Sequence, residues 1–239
     1  MDTQTNAVQR VIFLHIPKTA GTTFMDLLKA NYGQSCYRLR NGGDVAAAKR
    51  QADQVARWVQ CVAGHVGYGA HEWLPGLWRY VSFLREPVDR VVSLYYYIRG
   101  RPKHKRHELA LLPLHEFVKS DAMSDAENGM TRFLAGRSDV GIRPKESPAT
   151  EDDLATALRR LDYMDIGITE HYGESVAMLC RRLGWRNVVT TPKLVQVYRP
   201  RVEDLTVKDW IAIREKNELD IRLYMAACRK LEASLASVR

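Results

Sequence analysis

No apolar run in the chain approaches the roughly 18 residues that a membrane-spanning helix needs, and the first ten residues, MDTQTNAVQR, are polar. No signal peptide or membrane anchor is read, and a cytoplasmic location is the expectation. Cysteine is sparse: Cys36, Cys61, Cys180 and Cys228 stand far apart, without a C-x-x-C pair or a companion histidine cluster. No zinc site is read from them, and reduced, structural thiols are the default. No Pro/Gly/Ser-rich linker divides the 239 residues, which predicts one domain over 1–239 with a polar tail at 1–10. Internal repeats and low-complexity tracts are also absent. Acidic residues are the minority of the charges, 28 against 36 Lys+Arg, for a net charge of +8. That balance favours anionic partners without choosing among nucleotides, acidic glycans, nucleic acid and membrane surfaces. None of the usual nucleic-acid-binding signatures is present, so nucleic acid is not expected as a partner.

What is present is the composition of an ordinary α/β domain, 46% hydrophobic and 27% charged, organised around VIFLHIPKTAGTTFM (Val11 to Met25). The apolar residues from Val11 read as a short buried strand. A Pro/Lys/Gly/Thr turn follows, and then Phe24, Leu27, Leu28 and Tyr32 recur at helical spacing, with Gly33 placed to end the helix. A helix that starts there directs its leading N–H groups at the turn, which makes an anion cradle. Pro17, Lys18, Thr19, Ala20, Gly21, Thr22 and Thr23 are its candidate residues. Gly21 would let backbone approach the anion, Thr22 and Thr23 would add hydroxyls, and Lys18 a full charge. The other reading is a plain βα turn whose glycine serves packing. A Walker A loop is excluded, because its lysine directly follows the last glycine, whereas Lys18 precedes Gly21.

Further on, Trp58 to Ala63 has the β-branched content of a strand and places His65 just beyond its C-terminal end, the edge where ligands bind in open α/β sheets. The remaining histidines, His15 among them, read as structural. Tyr80 to Leu84 reads as another strand, after which Pro87 sits in the first turn of a helix whose apolar stripe is Val88, Val91, Val92, Tyr95 and Ile98. Arg85 stands at the junction and Ser93 follows on the helix. A guanidinium fork matches a phosphate and a hydroxyl supplies a further donor, although an ion pair and an interior serine would look the same.

PKTAGTTF after one strand and REPVDRVVSLYYY after another, in that order, resemble the two nucleotide-binding segments of the sulfotransferases that use PAPS (3′-phosphoadenosine 5′-phosphosulfate). The similarity extends to the carbohydrate sulfotransferases that include heparan sulfate 2-O-sulfotransferase. It implies a P-loop nucleotide-kinase-like α/β fold, a central parallel sheet flanked by helices. It also implies PAPS as sulfuryl donor, PAP (3′-phosphoadenosine 5′-phosphate) as product, and a hydroxylated acceptor, a glycan first among the candidates. Arg85 and Ser93 would hold the 3′-phosphate. The family's His-Gly-His-Val element corresponds to Ala63-Gly64-His65-Val66, which keeps the second histidine and replaces the first. By position, TTPKLVQVYRPR resembles the late segment that closes over the nucleotide, making Arg199 and Arg201 candidate contacts to the 3′-phosphate or adenine.

His65 is then the expected general base and Lys18 the group that stabilises charge on the leaving phosphate. No metal is expected, since the sulfuryl group carries less charge than a γ-phosphoryl and no carboxylate pair is obviously set for Mg²⁺. Two rivals stay open, a nucleotide-dependent kinase on the same architecture and a non-catalytic polyanion-binding protein. The basic run Arg99 to His107 reads as a solvated loop or as a landing patch for an acidic glycan. Elsewhere, helices are predicted over Asp44 to Arg57, Leu114 to Ser120, Met123 to Leu134, Thr150 to Leu161 and Glu174 to Leu183, with a strand at Asp165 to Thr169. Gly136 to Thr150 reads as a loop and a candidate lid. SCYRLRNGG reads as polar turn sequence. A C-terminal helix capped at Thr206 should pack Ile221, Met225, Cys228, Leu231 and Leu235 on the core.

Overall fold

Val11, Ile12, Phe13 and Leu14 are wholly buried, as a parallel strand covered on both faces requires. They form β1 (Val11–Leu14) in the computed structural model, which describes residues 9–39, 42–137, 147–187 and 199–236, with backbone alone at 42–44. The chain continues through α1 (Gly21–Tyr32), β2 (Cys36–Leu39), α2 (Gly42–Arg50), α3 (Ala52–Trp58), β3 (Cys61–Gly64), β4 (Arg79–Leu84) and α4 (Pro87–Arg99). After these come α5 (Leu114–Lys119), α6 (Gly129–Leu134), α7 (Glu151–Tyr163), β5 (Asp165–Ile168), α8 (Tyr172–Leu183), α9 (Val207–Lys216) and α10 (Glu218–Ala236). Among the described residues the strands make one five-stranded parallel sheet in the order β2-β3-β1-β4-β5. This is the parallel-sheet α/β architecture that the motifs imply.

The order sets the geometry of one edge. β1 lies between β3 and β4, with Leu14 level with Gly64 on one side and with Ser82 on the other. The chain leaves β1 towards β2 and β3, and later crosses to β4 and β5, so the winding direction reverses at β1. A reversal of this kind opens a crevice beyond the C-terminal ends of the strands. Three strand ends, those of β1, β3 and β4, therefore deliver Pro17 to Gly21, His65 and Arg85 to one place.

The predicted stripe of α4 is buried throughout and packs with Phe117, Val118 and Ile213 into a second, smaller core beside the main one. Thr150 caps α7 through a reciprocal pair with Asp153, and Gly184 closes α8 in a left-handed conformation at φ 67°.

Several expectations need correction. SCYRLRNGG contains a strand, β2, because an edge strand needs only one partner and tolerates the exposure that Cys36, Tyr37 and Arg38 retain. The helix expected over Asp44 to Arg57 is two, broken at Gln51, whose φ of −118° leaves the helical region. Trp58 ends the second of them, so β3 starts only at Cys61. Met123 to Leu134 is interrupted at Asn128, which is left-handed at φ 44°. The cause lies far away in sequence: Asn217 accepts the Asn128 N–H, and the Asp220 carboxylate accepts those of Met130 (3.0 Å) and Thr131 (2.7 Å), capping α6 from α10. Of the stripe expected on the C-terminal helix, Leu231 is buried and Cys228 and Leu235 pack partly buried against the core, whereas Met225 is 53% exposed; Leu219, Asp220, Leu223 and Ala227 complete the buried face of α10. Thr206 does cap a helix, but that helix is α9.

Gly64 ends β3 where no side chain fits. A Cβ there would lie 2.0 Å from the Leu39 carbonyl oxygen of the neighbouring strand. Gly64→Ala should destabilise the protein by about 1–3 kcal/mol, the usual cost of overpacking. A urea titration should show a lower midpoint at unchanged slope. An unchanged midpoint would mean that β2 is held too loosely to resist the methyl group.

Candidate functional site

The loop between β1 and α1 is held in an unusual backbone shape. Lys18 and Ala20 both take left-handed conformations, at φ 72° and 59°, which non-glycine residues seldom adopt and which cost roughly 1–3 kcal/mol each. Left-handed residues tilt successive N–H groups towards one side, producing a concavity that suits an anion. Thr19, fully buried, braces the shape by donating its hydroxyl to the Ile16 carbonyl at 2.9 Å. Thr23 and Phe24 direct their N–H groups at the Ala20 carbonyl, so Gly21 and Thr22 carry the leading amides of α1. Thr22 is exposed and Thr23 buried, which divides the two hydroxyls between ligand side and core. Gly21 has a role other than close approach of an anion: a Cβ there would stand 2.0 Å from Cδ2 of His15. The missing side chain makes room for an imidazole.

The second component is one face of α4. Pro87 occupies the first turn, and the Glu86 carboxylate accepts the Asp89 N–H at 2.6 Å. Asp89, Ser93 and Tyr97 follow at four-residue spacing and so share a face. At its near end Asp89 accepts from both Arg85 and Arg199, and Arg85 also donates to the Lys18 carbonyl at 3.1 Å. At its far end the Tyr97 ring lies beneath Lys18 Nζ, 4.2 Å from the centroid, and beneath the Arg101 guanidinium at 3.6 Å. Ser93, 4% exposed, lies between these two groups of cations. The structure thus sets Lys18, Arg85 and Arg199 along the face of α4 that carries Ser93, and it brings Tyr97 of the second motif and Arg101 of the basic run to Lys18, a contact that the sequence does not indicate. Lys18 is held at a pKa of about 8, first by burial and then by repulsion from Arg85, Arg101 and Arg199. Asp89 is the carboxylate that joins two of these cations.

The third component is His65, one residue past β3. Its Nδ1 lies 2.7 Å from the His15 carbonyl oxygen. A carbonyl can only accept, so Nδ1 carries the proton and Nε2 is left as a free base. Although the edge of the residue reaches solvent, desolvation holds the His65 pKa below its ordinary value of 6.5. The His15 ring stacks on it at a centroid distance of 4.3 Å with 24° between planes. Burial, then the charges of His65, Arg38 and Lys18, lower the His15 pKa to about 3. The histidine that sequence had assigned to plain structure is therefore in direct contact with the candidate base. Its signal was its place immediately before the loop, at the same strand edge as His65.

Arg201 is not brought in: it is exposed, and its N–H goes to the Asp204 carboxylate. The basic run divides. Arg99 bonds to Tyr95 and the Ala110 carbonyl and Arg106 pairs with Asp125, whereas Arg101 shares the Tyr97 ring with Lys18. Most of the candidate lid, 138–146, and most of the late basic segment, 188–198, lie outside the described residues, as does the tail at 1–8. Among the described residues no group of three or more His, Cys, Asp and Glu is arranged to hold a metal ion, and no helix is long and apolar enough to cross a membrane.

The depressed His15 pKa couples to stability. Above pH 6.5 the ring is neutral in both folded and unfolded chains, and its full contribution is present. Below that the unfolded chain takes up a proton that the folded chain refuses down to about pH 3, so stability falls by up to about 1.4 kcal/mol per pH unit. Urea unfolding between pH 7 and 5 should show a steeper loss in the native protein than in His15→Phe. Parallel curves would mean that His15 titrates normally in the fold.

Comparison with known proteins agrees with this geometry. A search of curated proteins finds no match, but residues 1–134, more than half of the chain, match the model of the sulfotransferase family, Sulfotransfer_2. That match takes in β1 and its loop, β3 with His65, and β4 with α4. The chain belongs to the sulfotransferase family.

Proposed function

We propose that the protein transfers the sulfuryl group of PAPS to a hydroxyl of a carbohydrate acceptor, with His65 as general base. What supports this most is the meeting, at one sheet edge, of a left-handed anion loop, a cation-lined face of α4 and an imidazole whose Nε2 is free. The donor fits that set of residues. It carries a 5′-phosphosulfate and a 3′-phosphate, and the site offers two groups of cations, Lys18 with Arg101 on the Tyr97 ring and Arg85 with Arg199 on the Asp89 carboxylate. In this reading the loop amides of Gly21 and Thr22, with Pro17 to Ala20 shaping the turn, receive the 5′ end. Arg85, Ser93 and Arg199 receive the 3′-phosphate, for which Asp89 is the internal counter-ion.

The chemistry then follows from the residues. His65 Nε2 takes the proton of the acceptor hydroxyl as its oxygen bonds to sulfur in line with the departing phosphate oxygen. The bond from sulfur to that oxygen breaks, and the electron pair leaves with PAP. Lys18 meets the charge that develops there, an interaction stronger in the transition state than in the bound substrate. Tyr97 holds the Lys18 ammonium from below. Burial makes proton loss from this lysine easier, and repulsion from three arginines favours the bound anion that would relieve it.

Around the two histidines the Arg38 charge acts on both rings and the Asp125 carboxylate acts on His65.

His65→Ala should lose about 10² to 10⁴ in transfer rate, measured with radiolabelled PAPS and desulfated heparan sulfate as acceptor probe. PAP affinity by calorimetry should stay near native, because the imidazole faces the acceptor. In the native protein a protonated His65 cannot accept the hydroxyl proton, so activity falls on the acid side. Because desolvation lowers this pKa, half-maximal activity should lie below pH 6.5. A His65→Ala protein that binds PAP and transfers sulfate at near-native rate would remove His65 from the mechanism.

A further inference from the structure

The hydrogen bond from His65 Nδ1 to the His15 carbonyl fixes one direction of the imidazole but leaves it free to swing about that axis. The general-base role needs more, since Nε2 must point at the acceptor hydroxyl. The second restraint comes from the His15 side chain. Its ring covers the face of His65 at 4.3 Å, nearly parallel at 24°. Phe13 of β1, two residues before it, stacks with it at 5.6 Å and 17°. Its Cδ2–Nε2 edge occupies the space that a side chain on residue 21 would fill, with Cδ2 and Nε2 only 2.0 and 2.1 Å from the position of a Cβ. Gly21 is the first residue of α1 and belongs to the anion loop. One flat ring therefore touches both the loop and the candidate base.

We propose that His15 is the positioning residue of the site: wedged between Gly21 and the face of His65, its imidazole sets the ring plane of the base and its spacing from the phosphate loop. This role rests on His65 being the base. The low pKa of His15 agrees with it, because a neutral ring can stay stacked when its neighbour takes up a proton. His15 donates nothing to the reacting atoms. It acts through His65, and a displacement of about 1 Å in a reacting group can cost roughly a hundredfold in rate.

The test compares His15→Ala, His15→Phe, His65→Ala and the double variant His15→Ala/His65→Ala. Rates are measured in single turnovers with radiolabelled PAPS and desulfated heparan sulfate, and PAP affinity by calorimetry. His15→Ala should lose roughly ten- to a hundredfold in rate with PAP affinity near native. His15→Phe, which keeps a flat ring on the stack, should recover a large part of the loss. In the His65→Ala background His15→Ala should cost nothing more. An equal loss in both backgrounds, or no loss in either, would overturn the proposal. A native rate in His65→Ala alone would overturn the base assignment and the positioning role with it, so the two failures appear in different variants. A readout independent of activity is NMR of the His65 imidazole. Its ring-proton shifts should move in His15→Ala and stay near native in His15→Phe, whereas unmoved shifts in His15→Ala would show that the rings do not stack and overturn the proposal.

Discussion

The structure depends on the burial of β1 between β3 and β4. Four residues without exposed surface can be tolerated only where strands flank them on both edges and helices cover both faces. Parallel pairing at both edges then forces the ends of β1, β3 and β4 to the same side. The loop, His65 and Arg85 are neighbours because the sheet leaves no other arrangement, and each arrives on a segment too short to move far from its strand. Gly64 shows how closely the ends are fitted, since its neighbour on β2 leaves no space for a methyl group.

On that frame the site is a balance of charge. Burial first, and then repulsion from Arg85, Arg101 and Arg199, make Lys18 a weaker base, and Asp89 ties Arg85 to Arg199. Cations gathered on a strained loop and one helix face cost stability unless something anionic repays it. That internal tension suits a ligand with phosphates at both ends of a nucleoside better than one with a single phosphate cluster. The family match makes sulfuryl transfer the general activity of the fold here. Two stacked histidines lie at its rim.

The sequence carried the parts of this that are local. A buried strand, a proline in the first turn of α4 and the reciprocal cap at Thr150 are each written in a few consecutive residues, and each stands where it was expected. The rest depends on contacts between distant residues. Asp220 caps α6 across some ninety positions, which breaks one helix and turns the buried face of another, and neither effect has a local signal. β2 was missed because an edge strand needs no apolar alternation. Arg85, Ser93 and Arg199 are expectations from resemblance; that Arg85 and Arg199 meet on one carboxylate, Asp89, has no local signal. For Gly21 the sequence offers close approach to an anion or a packing role, and the His15 ring in the space of its missing side chain adds a packing reason without bearing on the first. That contact brings the His15 ring against residue 21, six positions on, across a loop in which Lys18 and Ala20 are left-handed.

Whether the cations beside α4 read a 3′-phosphate is tested most directly by titrating PAP and ADP into the native protein and into Arg85→Ala by calorimetry. The native protein should prefer PAP. Loss of a charged hydrogen-bond partner is worth about 1.5 to 3 kcal/mol, so the variant should bind PAP roughly ten- to a hundredfold more weakly and ADP almost unchanged. Arg85 also donates to the Lys18 carbonyl, and if that were its purpose both nucleotides would weaken together. An equal loss for PAP and ADP would contradict the 3′-phosphate assignment.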